Sequence, residues 1–241
     1  MLTLDHILSE NRATSSDEGF VSHAVTCSPF VARLLTKDAL LLNDLLVNLH
    51  QPYQLSDMQN FLSQQNIIDE VTLKCALRVL RRQVLARIIV RDLNGLADLK
   101  EVMLTTSLLA EVTTHTAIKF LSNWLTPEYG VPTNAQGDPQ SLIVVGMGKL
   151  GGYELNVSSD IDLIFAYEED GQTTGAKSIS NQDFFTRLAK KLIAAIDEMT
   201  EDGFVFRVDM RLRPFGSEGA LVSSLDALED YYQNNGREWE R

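Results

Sequence analysis

Between Thr126 and Gln140 the hydrophobic rhythm of this chain changes, and that change limits the folds open to it. Upstream, Leu73, Leu77, Leu80, Val84 and Ile88 recur at spacings of three and four, which places them on one face of an α-helix. Asn94-Gly95 supplies a helix stop. Leu99, Val102, Met103, Leu108, Leu109, Val112 and Ile118 then carry a second helical pattern toward Trp124. Pro29 to Leu49 and Leu55 to Gln65 read as shorter helices of the same body. The segment after Trp124 collects Pro127, Gly130, Pro132, Asn134, Gly137, Asp138 and Pro139, so it reads as a loop and as the main internal boundary.

Beyond that loop the pattern is mixed. Ser141 to Met147 and Ile161 to Tyr167 are short apolar strands, and Glu168 to Ile179 is a polar connection. A helix starts at Ser180, with Asp183 placed to complete a capping box. Its expected core face is Phe184, Leu188, Leu192, Ala195, Ile196 and Met199. From Phe204 to Arg213 the alternation is almost strict: Phe206, Val208, Met210 and Leu212 share one face, and Arg207, Asp209, Arg211 and Arg213 the other. Asp226 to Asn235 is a further helix. The expectation is an α+β fold, with a helical N-terminal region over 1–130 and a sheet-containing domain over 131–241.

Charge and cysteine usage narrow the function classes. A formal net charge of −12 speaks against a broad nucleic-acid footprint, which needs a basic surface. A nucleotide substrate remains compatible, because a metal ion can carry the local positive charge. Cys27 and Cys75 lie far apart without metal-ligand spacing and read as free thiols. Met1 to Glu10 lacks the basic start and apolar core of a signal peptide. Ala39 to Leu49 is apolar but interrupted by Asn43, Asp44 and Asn48, and is too short for a bilayer. A cytoplasmic protein with no membrane partner is expected.

The chemistry concentrates between Gly146 and Phe165. A turn of Gly146, Gly148, Lys149, Gly151 and Gly152 leads into Ser158-Ser159-Asp160-Ile161-Asp162, and the second aspartate opens an apolar strand. Side chains two apart on a strand project the same way, so Asp160 and Asp162 share a face. Two ionised carboxylates side by side repel each other unless a cation lies between them. Oxygen donors without nearby His or Cys suit Mg²⁺ or Mn²⁺, and a glycine turn lets backbone N–H groups approach a bound anion. Asp209, on the polar face of its strand, is the candidate third carboxylate. Three such aspartates can hold two divalent ions about 3.5–4 Å apart, as phosphoryl- and nucleotidyl-transfer sites do. Arg207, Arg211 and Arg213 are costly to bury unpaired but suit anionic oxygens.

Plainer readings stand beside these. Ser158 and Ser159 either donate to a phosphate or close a turn, and Lys149 either contacts phosphate or is simply solvated. Glu154 reads as structural. Lys74, Arg78, Arg81, Arg82, Arg87 and Arg91 lie on one helix and read as a solvated or internally paired face, with docking to an acidic surface as the lesser reading. His6, His23, His50 and His115 are scattered and carry no catalytic role, and Trp124 and Trp239 read as packing residues.

Gly146 to Phe165, followed by Val208-Asp209-Met210-Arg211-Leu212-Arg213-Pro214-Phe215-Gly216, closely resembles the bacterial glutamine synthetase adenylyltransferase/adenylyl-removing family. Ala227-Leu228-Glu229-Asp230-Tyr231-Tyr232, with Gly236-Arg237, Trp239, Glu240 and Arg241, is similar to the same family's continuation. The resemblance implies a polymerase-β-like nucleotidyltransferase fold, a small mixed sheet flanked by helices, with metal held by Asp160, Asp162 and Asp209. It further implies phosphate or nucleotide contacts from Gly148, Lys149, Gly151, Gly152, Ser158, Ser159, Arg211 and Arg213. Members carry two such domains, and the wording here is similar to the N-terminal, adenylyl-removing copy. That copy phosphorolyses the AMP–tyrosine bond on glutamine synthetase and releases ADP. The implied partners are glutamine synthetase, ATP or ADP, inorganic phosphate and, through a remainder beyond this chain, a PII-type nitrogen-signalling protein. The chain is then expected to be an N-terminal fragment whose second domain is incomplete. AMP transfer from ATP, or docking without catalysis, are the alternatives.

Overall fold

The computed structural model describes residues 15–238. Met1 to Glu10, His6, Trp239, Glu240 and Arg241, on which some of the sequence expectations rest, lie outside the described residues. The elements run α1 (Ser15–Cys27), α2 (Pro29–Lys37), α3 (Ala39–Asn48), α4 (Leu55–Ser63), α5 (Glu70–Leu93) and α6 (Leu99–Tyr129). The mixed part follows as β1 (Pro132–Thr133), β2 (Ile143–Met147), α7 (Gly148–Gly151), β3 (Ile161–Tyr167), β4 (Gln172–Thr173), α8 (Asn181–Asp197), β5 (Val208–Asp209), β6 (Val222–Ser224) and α9 (Leu225–Asn234). This is the expected α+β class. Among the described residues no helix is long and apolar enough to cross a membrane.

Contacts divide the chain into two compact units, with borders that run through α5 and α6 and not along the proline-rich loop. Among the described residues, the first comprises 15–65, Ala76–Val112 and Tyr153–Ser158; the second comprises Asn66–Cys75, Thr113–Gly152 and 159–238.

In the first unit, Val21, Val31, Leu35, Leu42, Leu45, Leu49 and Val90 belong to one buried cluster. The expected helix from Pro29 to Leu49 is two helices, because Asp38 adopts an extended conformation and its carboxylate caps Leu41 N–H at 3.0 Å. Helix α1 had no sequence expectation, although Phe20, Val21, Ala24 and Val25 recur at helical spacing and belong to or pack on this cluster. The basic face of α5 is largely internal and not solvated: Arg78, Arg87 and Arg91 are 1%, 7% and 3% exposed. Arg91 is satisfied throughout, with Nε and Nη2 on the Glu101 carboxylate at 2.8 and 3.0 Å, Nη1 on Leu49 O at 2.7 Å and Nη2 also on Leu96 O at 2.9 Å. Arg87 pairs with Asp44 at 3.1 Å and lies over the Tyr53 ring.

In the second unit, β3 is the centre of a four-stranded sheet. β2 runs antiparallel along one edge, from Ile143 opposite Ala166 to Met147 opposite Asp162. β5 and β6 share the other edge, both parallel to β3: β5 beside Ile161–Asp162, β6 beside Phe165–Tyr167. All of β3 is buried except Asp162, as a strand covered on both faces requires. Helix α8 supplies part of the cover, through buried Phe184, Phe185, Leu188 and Leu192, with Phe185 stacked on Tyr167 at 5.3 Å. Ser180 caps α8 by accepting from Asp183 N–H at 3.0 Å, and its hydroxyl donates to Asp183 Oδ2 at 2.8 Å.

Two expectations for this unit need correcting. Met199 does not belong to the core face of α8; the helix ends at Asp197 and Met199 is 68% exposed. The alternating run from Phe204 to Arg213 is not one strand either. Only Val208–Asp209 pairs as β5, because the Asp209 carboxylate accepts the Arg211 backbone N–H at 2.8 Å and turns the chain out of the sheet.

Candidate active site

The site is built where β3 and β5 begin. Asp162 and Asp209 are register partners across the parallel pair, and Asp160 lies just ahead of β3. The ladder continues one step further, with Ile161 N–H donating to Arg207 O at 2.9 Å. Adjacent strands lie about 4.8 Å apart, so the carboxylates share one small volume. Asp162 records this. Its carboxyl is raised above the usual range, first by desolvation, then by the charges of Asp209 and Asp160, against smaller opposing effects of Arg211 and Lys149.

Two arginines hold the flanking carboxylates. Arg207 pairs with Asp160. The Arg211 Nε lies 3.0 and 2.8 Å from the two Asp209 oxygens. That guanidinium, followed by the Arg211 backbone N–H, keeps Asp209 below the usual carboxylate range despite some desolvation. Both guanidinium groups are open to solvent, with side chains 55% and 84% exposed.

The glycine turn forms α7, a single helical turn directly after β2. Gly148 sits at φ +53°, and a Cβ there would come within 2.9 Å of Asp162 Oδ2. A side chain at Gly151 would meet Gly146 O at 2.7 Å. The turn therefore uses its glycines for a close fit of backbone to carboxylate and of backbone to backbone. Gly152 N–H is engaged within the turn, donating to Gly148 O at 3.2 Å. Lys149 is exposed beside it.

The remaining sequence candidates are placed differently. Ser158 belongs to the first unit, and its N–H and hydroxyl both bond Asn156 Oδ1 at 3.1 Å, which is turn closure. Ser159, half-buried, belongs to the second unit. Arg213 bonds carbonyls of its own loop: Met210 O at 2.7 Å, Ser217 O at 3.1 Å and Gly219 O at 3.4 Å. It holds that loop's shape and does not join the carboxylates. Conversely, Arg207, which its place on the polar face beside Asp209 suited to anionic oxygens but which was not among the contacts implied by the resemblance, pairs with Asp160.

Among the described residues no three His, Cys, Asp or Glu side chains form a ready metal cage. Arg207 and Arg211 are the counter-ions of Asp160 and Asp209. The donor chemistry itself fits a hard divalent cation: three carboxylates, oxygen only, one whose charged form is opposed by desolvation and then by its neighbours' charge. Binding would require the two exposed guanidinium groups to swing aside.

A family model described as glutamate-ammonia ligase adenylyltransferase matches residues 20–241. The chain belongs to this family. It is 48% identical over 234 residues to the bifunctional glutamine synthetase adenylyltransferase/adenylyl-removing enzyme of Nitrosomonas eutropha, a match covering 95% of this chain and 25% of that protein. The protein of the same description in Aromatoleum aromaticum is 51% identical over 219 residues, covering 91% of this chain and 23% of that one. The Chromobacterium violaceum relative is 50% identical over 222 residues, covering 92% and 25%. The chain thus spans about a quarter of the length of these members of the glutamate-ammonia ligase adenylyltransferase family. Asp160, Asp162, Asp209 and the glycine turn all fall inside the matched residues.

Proposed function

We propose that residues 131–241 carry a divalent-metal-dependent nucleotidyl-transfer site, which removes AMP from an adenylylated tyrosine of glutamine synthetase by phosphorolysis. The observation that carries this reading is the register of Asp162 with Asp209, with Asp160 beside them and Asp162 raised by desolvation and then by their charge. The names of the relatives support the choice of protein substrate. The likeness of the Met147–Gly152 and Asn156–Asp162 wording to the adenylyl-removing copy supports the direction.

Asp160, Asp162 and Asp209 would hold Mg²⁺ or Mn²⁺, which when bound neutralises charge on phosphate oxygens and polarises the phosphorus. The chain's own groups position the reactants. Arg207 and Arg211, turned from their carboxylates, would grip oxygens of AMP and inorganic phosphate with planar donor forks. Lys149 adds positive charge beside Asp162. Gly148 keeps the backbone close without crowding the carboxylate. In the reaction the bond from phosphorus to the tyrosine oxygen breaks, a phosphate oxygen bonds to phosphorus, and the tyrosine oxygen gains a proton. ADP and unmodified tyrosine result. Positioning and charge neutralisation supply most of the rate enhancement in such displacements. The reading also carries a cytoplasmic location and, through a longer protein, control by a PII-type signalling protein.

The test incubates adenylylated glutamine synthetase with the chain, phosphate and Mg²⁺, and measures ADP. ADP formation that requires phosphate and metal bears the reading out. AMP incorporation from ATP into unmodified glutamine synthetase, without ADP release in the first assay, assigns the opposite direction. Capture of glutamine synthetase without either reaction leaves only a docking module.

A further inference from the structure

Within the first unit, one cluster of reactive side chains lies outside the nucleotidyl-transfer site. His23 and Cys27 stand one turn apart on α1, with Cys27 Sγ 3.3 Å from His23 Nε2. The other ring nitrogen, Nδ1, is 3.0 Å from Asn94 Oδ1, a residue 71 positions away in sequence. The orientation of Asn94 follows from its surroundings: its amide nitrogen donates to Phe20 O at 3.0 Å and Val90 O at 2.7 Å. Backbone carbonyls only accept, so the NH₂ must face them and Oδ1 must face the ring. An amide oxygen also only accepts. In the neutral imidazole, Nδ1 therefore carries the proton and Nε2 turns its lone pair toward the thiol.

A nucleophile, a base within hydrogen-bond reach and a third group that fixes the base's tautomer are the parts of an activated thiol. Cys27 and His23 are both exposed, so a small reagent can reach the sulfur. Cys75 is exposed as well, but among the described residues no histidine bonds it.

We infer that Cys27 is a modification site that accepts low-molecular-weight disulfides, with His23 as its base and Asn94 as the positioning residue. The proton passes from Sγ to His23 Nε2 and the sulfur attacks one sulfur of the disulfide. The S–S bond of the reagent breaks and a new one forms to Cys27. The departing thiolate takes the proton from His23, so one disulfide and one protein thiol give one mixed disulfide and one free thiol.

The experiment incubates the full 241-residue chain with oxidised glutathione at neutral pH and follows each cysteine by site-resolved mass spectrometry. Cys27 should react on the order of 10²-fold faster than Cys75. His23→Gln, a conservative exchange at an exposed position, should bring Cys27 down to the rate of Cys75. Asn94→Ala should remove part of the advantage, with thermal melting used to confirm that the variant is folded. Equal rates at the two cysteines of the native chain overturn the inference. So does an advantage of Cys27 that survives His23→Gln.

Discussion

Asp162 and Asp209 stand opposite each other as register partners where β3 and β5 run parallel, so the strand pairing itself brings two like charges together. Desolvation and then these neighbouring charges raise the proton affinity of Asp162, and the charges of Arg211 and Lys149 offset only part of the rise. Such a pair is poised for a cation, and its behaviour is testable residue by residue.

Replacing Asp162 by Asn should lower metal-dependent phosphorolysis by on the order of 10³-fold. Because Asp162 is raised in the folded state, its charged form opposes folding, and that opposition grows as pH rises through its folded pKa. The variant should therefore melt no lower than the native chain at neutral pH, and higher relative to it than under acidic conditions. Retained turnover in Asp162→Asn would remove the metal role from this residue.

A divalent cation should stabilise the native chain in proportion to its binding, by about 2.7 kcal/mol at one hundred times its dissociation constant. Melting curves with Mn²⁺ and then excess chelator read this directly. The shift should reverse with chelator and be absent from Asp162→Asn.

Arg211→Ala should raise the Asp209 carboxyl from its depressed position toward the ordinary range, because the guanidinium is the main cause of the depression. In the native chain this ion pair favours folding above the ordinary carboxylate pKa, and the benefit is lost as pH falls through the lower folded pKa. Carbon-13 NMR titration of the aspartate side chains measures the change. An unmoved Asp209 would mean that the bond to Arg211 is not what holds it.

Gly148→Ala should cost about 1–2 kcal/mol through its left-handed backbone alone. The added Cβ would also crowd Asp162 Oδ2 at 2.9 Å, so activity should fall further than stability suggests. Urea unfolding beside the ADP assay separates the two effects.

Arg91→Ala should destabilise the chain by about 1–3 kcal/mol, since it leaves the part-buried Glu101 carboxylate, Leu96 O and the buried Leu49 O without their donor. The double variant Arg91→Ala with Glu101→Gln should recover part of that loss. A simple sum of the two single costs in denaturant unfolding would argue against the coupling.

Strand β3 was legible to the residue, because an apolar run bounded by Asp160-Ile161-Asp162 at one end and Glu168 at the other admits little else. The Phe204–Arg213 run was equally regular yet misleading. Its period persists past Asp209, but the Asp209 carboxylate accepting Arg211 N–H ends the strand, and side-chain competition for a backbone donor leaves no mark on periodicity. The basic residues of α5 read as solvated or internally paired, and burial decides for the second: Glu101, Asp44 and backbone carbonyls receive Arg87 and Arg91 inside.

Local pattern alone determined the helices from Pro29 onward in the first half, strands β2 and β3, the glycine turn and the three aspartates of the candidate site, because hydrophobic period and turn chemistry act over a few neighbouring residues. Tertiary structure decided which groups meet. It set Asp209 opposite Asp162, put Arg207 on Asp160, gave Arg213 to its own loop and brought Asn94 to the His23–Cys27 pair. Those meetings join residues up to 71 positions apart, and only packing of whole elements can choose among such partners.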